Sequence, residues 1–123
     1  MLLTRGELIL IVTRRSFEKD RRRHFIGTVE DAEGTAIRLT GYEFYVDNTN
    51  QYRKIPEMRT WIFPLADSQM SVNVLPHEIP PEGDNIVPRE IAPDDIDYSY
   101  IGGKLCLTVE GRIIYDMAEY QVS

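Results

Sequence analysis

Apolar residues in this chain fall into short alternating runs separated by polar or proline-containing breaks, a pattern that predicts strands throughout and little helix. Glu7 to Thr13, ELILIVT, is apolar on both alternating faces and rich in β-branched residues, which predicts a first strand covered on both sides. In HFIGTVED, Phe25, Gly27 and Val29 share one face of a second strand, and Gly27 stands where a strand can bend sharply or let another backbone approach. TAIRLTGYEFYVD predicts a long, bent third strand. Ile37 and Leu39 alternate in one phase and Tyr42, Phe44 and Val46 in the other, so the slip at Gly41 predicts a β-bulge. DNTNQYRKIPE reads as a hairpin loop returning into MRTWIFPLAD, a fourth strand with Trp61, Phe63 and Leu65 on one face and Pro64 marking an edge. MSVNVLP is a fifth strand, with Met70, Val72 and Val74 on one face, entered through the turn-forming Ala66-Asp67-Ser68.

From Pro76 to Asp97 the character changes: five of the seven prolines stand here with seven acidic residues and one arginine. Such composition predicts an extended segment, and Ile79, Ile86, Val87, Ile91 and Ile96 predict that it wraps onto the domain. GKLCLTVEGRIIYDMAEY reads as a C-terminal hairpin turning at Glu110-Gly111. Helix is confined to single turns at Thr4 to Glu7 or Ala92 to Ile96. The chain is therefore expected to be mostly β and to form one compact domain: a small, five-stranded, SH3-like barrel over 1–76, a Pro-rich acidic wrap over 77–97, and a β-hairpin over 98–123 packed on the barrel.

Composition narrows the class more than the function. With 123 residues and 42% hydrophobic content, one core suffices without disulfides or metal staples, and the single cysteine, Cys106, has no internal partner. The apolar run Leu8 to Val12 is too short, and too closely flanked by Arg5, Glu7 and Arg14, for a signal peptide or a membrane span. A soluble, cytoplasmic protein is expected, with no membrane partner. Net charge is -6, divided unevenly: residues 1–60 carry 11 basic and 9 acidic side chains, and residues 61–123 carry 3 and 11. That polarity suits pairing of subunits and disfavours a surface built to hold phosphates, DNA included.

The order and spacing of ELILIVT, HFIGTVED, AIRLTGYEF and RTWIFPLADSQMSVNVLP resemble the Sm-like (LSm) proteins. Phe25-Ile26-Gly27-Thr28-Val29 is similar to the family's second-strand pattern, and Trp61 to Leu75 to its strand, turn and strand. The resemblance covers roughly Glu7 to Pro76. It implies an Sm-like barrel in which Phe25, Gly27 and Val29, with Gly41 at the phase slip of the third strand, are critical to the fold, and rings in which the fourth strand of one subunit pairs with the fifth of the next. It implies RNA as a partner as well, since many members bind uridine-rich RNA at the pore. Two departures bear on that. Glu33-Gly34-Thr35 stands where the family carries base-contacting Asp and Asn, and Ala66-Asp67-Ser68 replaces its Arg-Gly turn. A second, slighter similarity, to PRC-barrel domains, rests on IGTVED alone.

No catalytic triad, phosphate-binding glycine loop or zinc spacing stands in the sequence, so no enzyme activity, cofactor or metal is expected. Arg14, Arg15, Arg21, Arg22 and Arg23 are the one basic concentration able to contact RNA phosphates, partly neutralised by Glu18 and Asp20. RNA is thus a candidate but not the favoured partner, and binding is expected to be weak. His24 and His77 are isolated in sequence, and Cys106 lies in an apolar alternation where a buried thiol is expected. Asp94, Asp95 and Asp97 could hold a cation or serve an enzyme, although carboxylates after a proline commonly open a turn. The favoured reading is a non-enzymatic homo-oligomeric interaction module, ahead of an RNA-binding protein using the arginine loop and strand aromatics, and of a small-ligand or metal-dependent enzyme using the Asp94 to Asp97 carboxylates.

Overall fold

The computed structural model describes residues 3–13, 23–47, 49, 51–65, 70–79 and 89–117. They form antiparallel strands with one turn of 3-10 helix. The first sheet contains β1 (Leu8–Thr13), β2 (Arg23–Glu33), β3 (Ala36–Val46), β4 (Tyr52–Lys54), β5 (Arg59–Pro64) and β6 (Met70–Val74). Its order is β4-β3-β2-β1-β6. β5 joins the same margin of β3 as β4, pairing with Ala36 to Gly41 while β4 pairs with Phe44 to Val46. A two-residue ladder links β7 (Glu78–Ile79) to β8 (Arg89–Glu90). After the 3-10 turn Pro93–Asp95 comes a three-stranded meander of β9 (Ile96–Ile101), β10 (Lys104–Val109) and β11 (Arg112–Asp116).

Why one sheet needs two cores follows from β1. Ile9 and Ile11 enter a cluster with Phe25, Val29, Ile37, Leu39 and Phe63. Leu8, Leu10 and Val12 enter a larger one with Ile26, Phe44, Ile96, Leu105 and Leu107. The double-sided apolar run is thus covered on both faces, as its composition predicts. Trp61 of β5 and Met70 and Val72 of β6 pack on the first cluster, so the two margins of the sheet meet one core and the sheet must curl around it. Among the described residues it does not close, because β5 and β6 do not pair with each other. The second cluster lies between the outward face of this sheet and the meander. Its buried Leu and Ile side chains each contribute about 1.5–3 kcal/mol relative to exposure.

The change of phase in β3 has a different cause from a bulge. Gly27 and Gly41 are direct register partners, and pairing runs through Gly41 without interruption. The irregularity falls instead on β2, between Val29 and Asp31. Ile37 and Leu39 serve the first core, while Tyr42 and Phe44, on the opposite face, serve the second. The slip therefore marks a switch in which face is buried. At the switch the backbones approach too closely for a side chain: a Cβ on Gly41 would lie 2.0 Å from the Ile26 carbonyl oxygen, and one on Gly27 2.5 Å from that of Thr40.

Three other expectations are corrected. The supposed loop from Asp47 to Glu57 contains β4, whose Tyr52 alternates into the second core. The C-terminal element is a meander of three strands, because IDYSYI pairs with β10 ahead of the expected hairpin. Both its turns, Gly102-Gly103 and Glu110-Gly111, have positive φ at their two central residues, the twist that tight hairpins favour. Thr4 to Glu7 is a β-turn, closed by a hydrogen bond from the Glu7 N–H to the Thr4 carbonyl, and its Gly6 N–H donates to the Val29 carbonyl at 2.8 Å. Val74 keeps the phase of Met70 and Val72, in register with Ile9, and is exposed. The single helical turn expected near Ala92 to Ile96 is present as Pro93–Asp95. The Ala66-Asp67-Ser68 turn, with Ile86 and Val87, lies outside the described residues.

These contacts predict an order of damage in urea-unfolding experiments. Gly41→Ala should cost more than Gly27→Ala, both in the range of about 1–3 kcal/mol or above, with Gly27→Val worse than Gly27→Ala. Gly34→Ala, at a turn with open space around it, should cost only the left-handed backbone strain of about 1–2 kcal/mol. Equal stability of the Gly41→Ala variant and the parent protein would mean that the two strands do not approach this closely.

Candidate functional site

The margins of the curled sheet are formed by β4 and β5 on one side and β6 on the other. β5 pairs on one side with β3 and β6 on one side with β1; among the described residues their other edges carry no strand. Ile62 on β5 is 66% exposed and Val74 on β6 56%, large apolar side chains on two strands that each pair with one neighbour among the described residues. An unpaired edge of this kind is a template for another strand. The meander covers neither edge with a strand, since it packs on the sheet through the second core and reaches β6 by a side-chain hydrogen bond, from the Tyr115 hydroxyl to Asn73 Oδ1 at 3.2 Å.

Sequence-selected residues fall in several places. Arg14, Arg15, Arg21 and Arg22 lie outside the described residues; Arg23 is exposed at the start of β2, and its carbonyl accepts the Thr13 hydroxyl. Phe25 and Val29 are buried in the first core, Phe25 edge-on to Trp61 and Phe63 at ring separations of 5.1 and 5.0 Å. Gly27 and Gly41 form the close crossing. Cys106 is buried, its thiol directed to the Lys104 carbonyl. The three aspartates diverge: Asp95 pairs with Arg89 at 3.2 Å, Asp94 accepts a hydrogen bond from the Tyr42 hydroxyl, and Asp97 is exposed on β9. No group of metal-binding side chains forms among the described residues.

His24 is not isolated in the fold. It is 1% exposed, its Nδ1 is hydrogen-bonded to the Tyr98 hydroxyl, and its ring lies 5.0 Å from Tyr52 and 5.4 Å from Tyr98. Tyr52 and Tyr98 stack at 4.4 Å, and Phe44 meets Tyr98 edge-on. Beside them Lys54 Nζ donates to the carbonyls of Asp94 and Ile96 at 3.0 and 3.3 Å and sits 4.5 Å from the Tyr42 ring centroid. Burial and the Asp94 carboxylate raise the pKa of Tyr42. Sequence separation hides this seam, because Tyr98 is brought to His24 only by the face-to-face packing of two sheets. A cross-strand signal was present in part, in the alternation of Tyr42, Phe44 and Tyr52.

Comparison of the chain with protein-family models, curated proteins and solved structures found no match. Fold and site therefore rest on this chain's own geometry. No helix among the described residues is long and apolar enough to cross a membrane.

Asp47 sets the position of Tyr52 and Lys54. Its Oδ1 accepts the Thr49 N–H and hydroxyl at 2.8 and 2.6 Å and the Gln51 N–H at 3.1 Å, and its Oδ2 accepts Arg53 Nε at 2.8 Å. The Thr49 hydroxyl, then Arg53, hold its carboxyl well below the ordinary value of 3.8. A carboxylate depressed in the folded state stabilises it above the unfolded pKa, and that stabilisation is lost as pH falls toward the folded pKa. Asp47→Asn should therefore melt below the parent protein at neutral pH, with the gap narrowing once pH drops below 3.8. A gap that stays constant from neutral pH to pH of about 2 would show that the carboxylate charge plays no part.

Proposed function

We propose that this protein is a non-enzymatic interaction module of Sm-like type that assembles head to tail, the β5 edge of one copy pairing with the β6 edge of the next. The observation that supports this reading is that two strands sharing one core, β5 and β6, stop short of pairing with each other and leave outward edges with exposed Ile62 and Val74. A contact between two different surfaces propagates until the subunits close a ring. The Phe25-x-Gly27-x-Val29 pattern supports the Sm-like reading: Phe25 and Val29 line the concave core, and Gly27 lies at the crossing that the curl requires.

Neither alternative gains an observation of comparable weight. Phe44 is buried and Tyr42, Tyr52 and Trp61 are half-buried against the two cores, which commits most of the strand aromatics to packing. Asp94 and Asp95 are engaged by Tyr42 and Arg89.

Light scattering should find a homo-oligomer at micromolar concentration. Val74→Lys damages the β6 edge alone and Ile62→Lys the β5 edge alone, so each variant should be strongly dissociated. Their equimolar mixture should form heterodimers through the one pair of intact edges, an outcome that two-fold self-pairing cannot give. A monomeric parent protein, or a mixture that stays monomeric, would overturn the reading.

A further inference from the structure

The meander covers only part of the sheet's outward face. The open part carries two cross-strand rows over β2, β3 and β5: Asp31, Arg38 and Ile62 in one, Thr28, Thr40 and Thr60 in the next. Two clefts adjoin there. One of about 550 Å³ is lined by Arg5, Glu30, Asp31, Arg38, Thr40 and Thr60. The other, of about 150 Å³, adds Glu33, Ala36, Ile37 and Ile62. They share Asp31 and Arg38 and so make one groove, polar at one end and part apolar at the other.

The charged groups of this groove are not spent on each other. Arg38 and Asp31 are register partners, yet they form no ion pair, and Asp31 Oδ1 instead accepts the Ala32 N–H at 2.9 Å. Arg5, Glu30 and Glu33 also form no ion pair among the described residues. The Thr40 and Thr60 hydroxyls share one hydrogen bond at 2.9 Å, which leaves one of their two protons to donate elsewhere. Three carboxylates around two guanidinium groups disfavour a simple anion, and the central position of Arg38 disfavours a simple cation. A ligand carrying both charges satisfies both sets.

We propose that this groove binds a small zwitterion with an aliphatic side chain, the chemistry of a free α-amino acid. Arg38 takes the carboxylate in its two-pronged fork, helped by the free threonine hydroxyl. Glu30 and Asp31 receive the ammonium, and Ala36 and Ile62 take the aliphatic group. The inference shares Ile62 with the assembly reading but rests on Arg38 and the carboxylates of the sheet's face, which that reading does not use.

Titration of the ¹⁵N-labelled protein with L-leucine, followed by NMR, tests it. Leucine should give saturable shifts at the amides of Arg38, Thr40 and Thr60. 4-Methylpentanoate lacks the ammonium, isopentylamine the carboxylate and glycine the side chain, and each should bind more weakly by about tenfold or more, the scale of one lost charge-assisted or apolar contact. Arg38→Met alters an exposed side chain, so the fold should persist, as the dispersed spectrum of the variant would show, while the leucine shifts disappear. Absence of saturable shifts up to about 50 mM leucine, far above a millimolar Kd, would overturn the proposal. 4-Methylpentanoate binding as tightly as leucine, or unchanged binding in Arg38→Met, would overturn it equally.

Discussion

The approach of β2 and β3 at Gly27 and Gly41 is the constraint on which the rest of this structure depends. Both residues lack a Cβ at the point where one strand's carbonyl fills the space a side chain would need, on each strand in turn. Without that approach, the first half of β3 could not bring Ile37 and Leu39 to one core while the second half brings Tyr42 and Phe44 to the other. The curl of the sheet, the meeting of β5 and β6 around Phe63, and the separation of their edges follow from the same crossing.

Two cores explain the rest of the chain. A sheet with β1 buried on both faces needs a cover on its convex side, and the meander supplies it through Leu105, Leu107 and Val109. The described residues of the segment between them anchor it: Ile79 and Ile91 are buried, the Ile91 N–H donates to the His77 carbonyl at 2.8 Å, and Arg89 pairs with both Asp95 and Glu110. His24, Tyr52, Tyr98 and Lys54 then set the seam where meander and sheet meet. Polar groups at such a seam are tolerated because each is hydrogen-bonded, and the described residues contain no buried side-chain N or O atom without a partner.

Local pattern made much of this legible. Period-two alternation marked β2, β3, β5, β6 and β10, an unbroken β-branched apolar run marked β1, and the glycine of Phe25-x-Gly27 marked a close approach, because these signals depend on neighbouring residues alone. Features set by distant packing were not legible. The phase change at Gly41 suggested a bulge, since sequence shows which residues are apolar but not which of two cores receives them. β4 escaped notice because three residues in a polar stretch owe their strand to Asp47 and to pairing with β3. β9 escaped because Asp97, Tyr98 and Ser99 interrupt apolar character on a strand with one wet face. Of the candidate site, the edge role of β5 was announced by Pro64, whereas the groove at Arg38 exists only once three strands lie side by side.

The most direct test of the two-core account is a set of NMR distance contacts from β1. The account predicts that the methyl groups of Leu8 and Leu10 show cross-peaks to residues of 75–117, that those of Ile9 and Ile11 show them to Phe25, Leu39 and Phe63, and that Gly27 and Gly41 contact each other across the strands. Cross-peaks from Leu10 and Ile11 to the same set of residues, or the absence of any Gly27 to Gly41 contact, would contradict it.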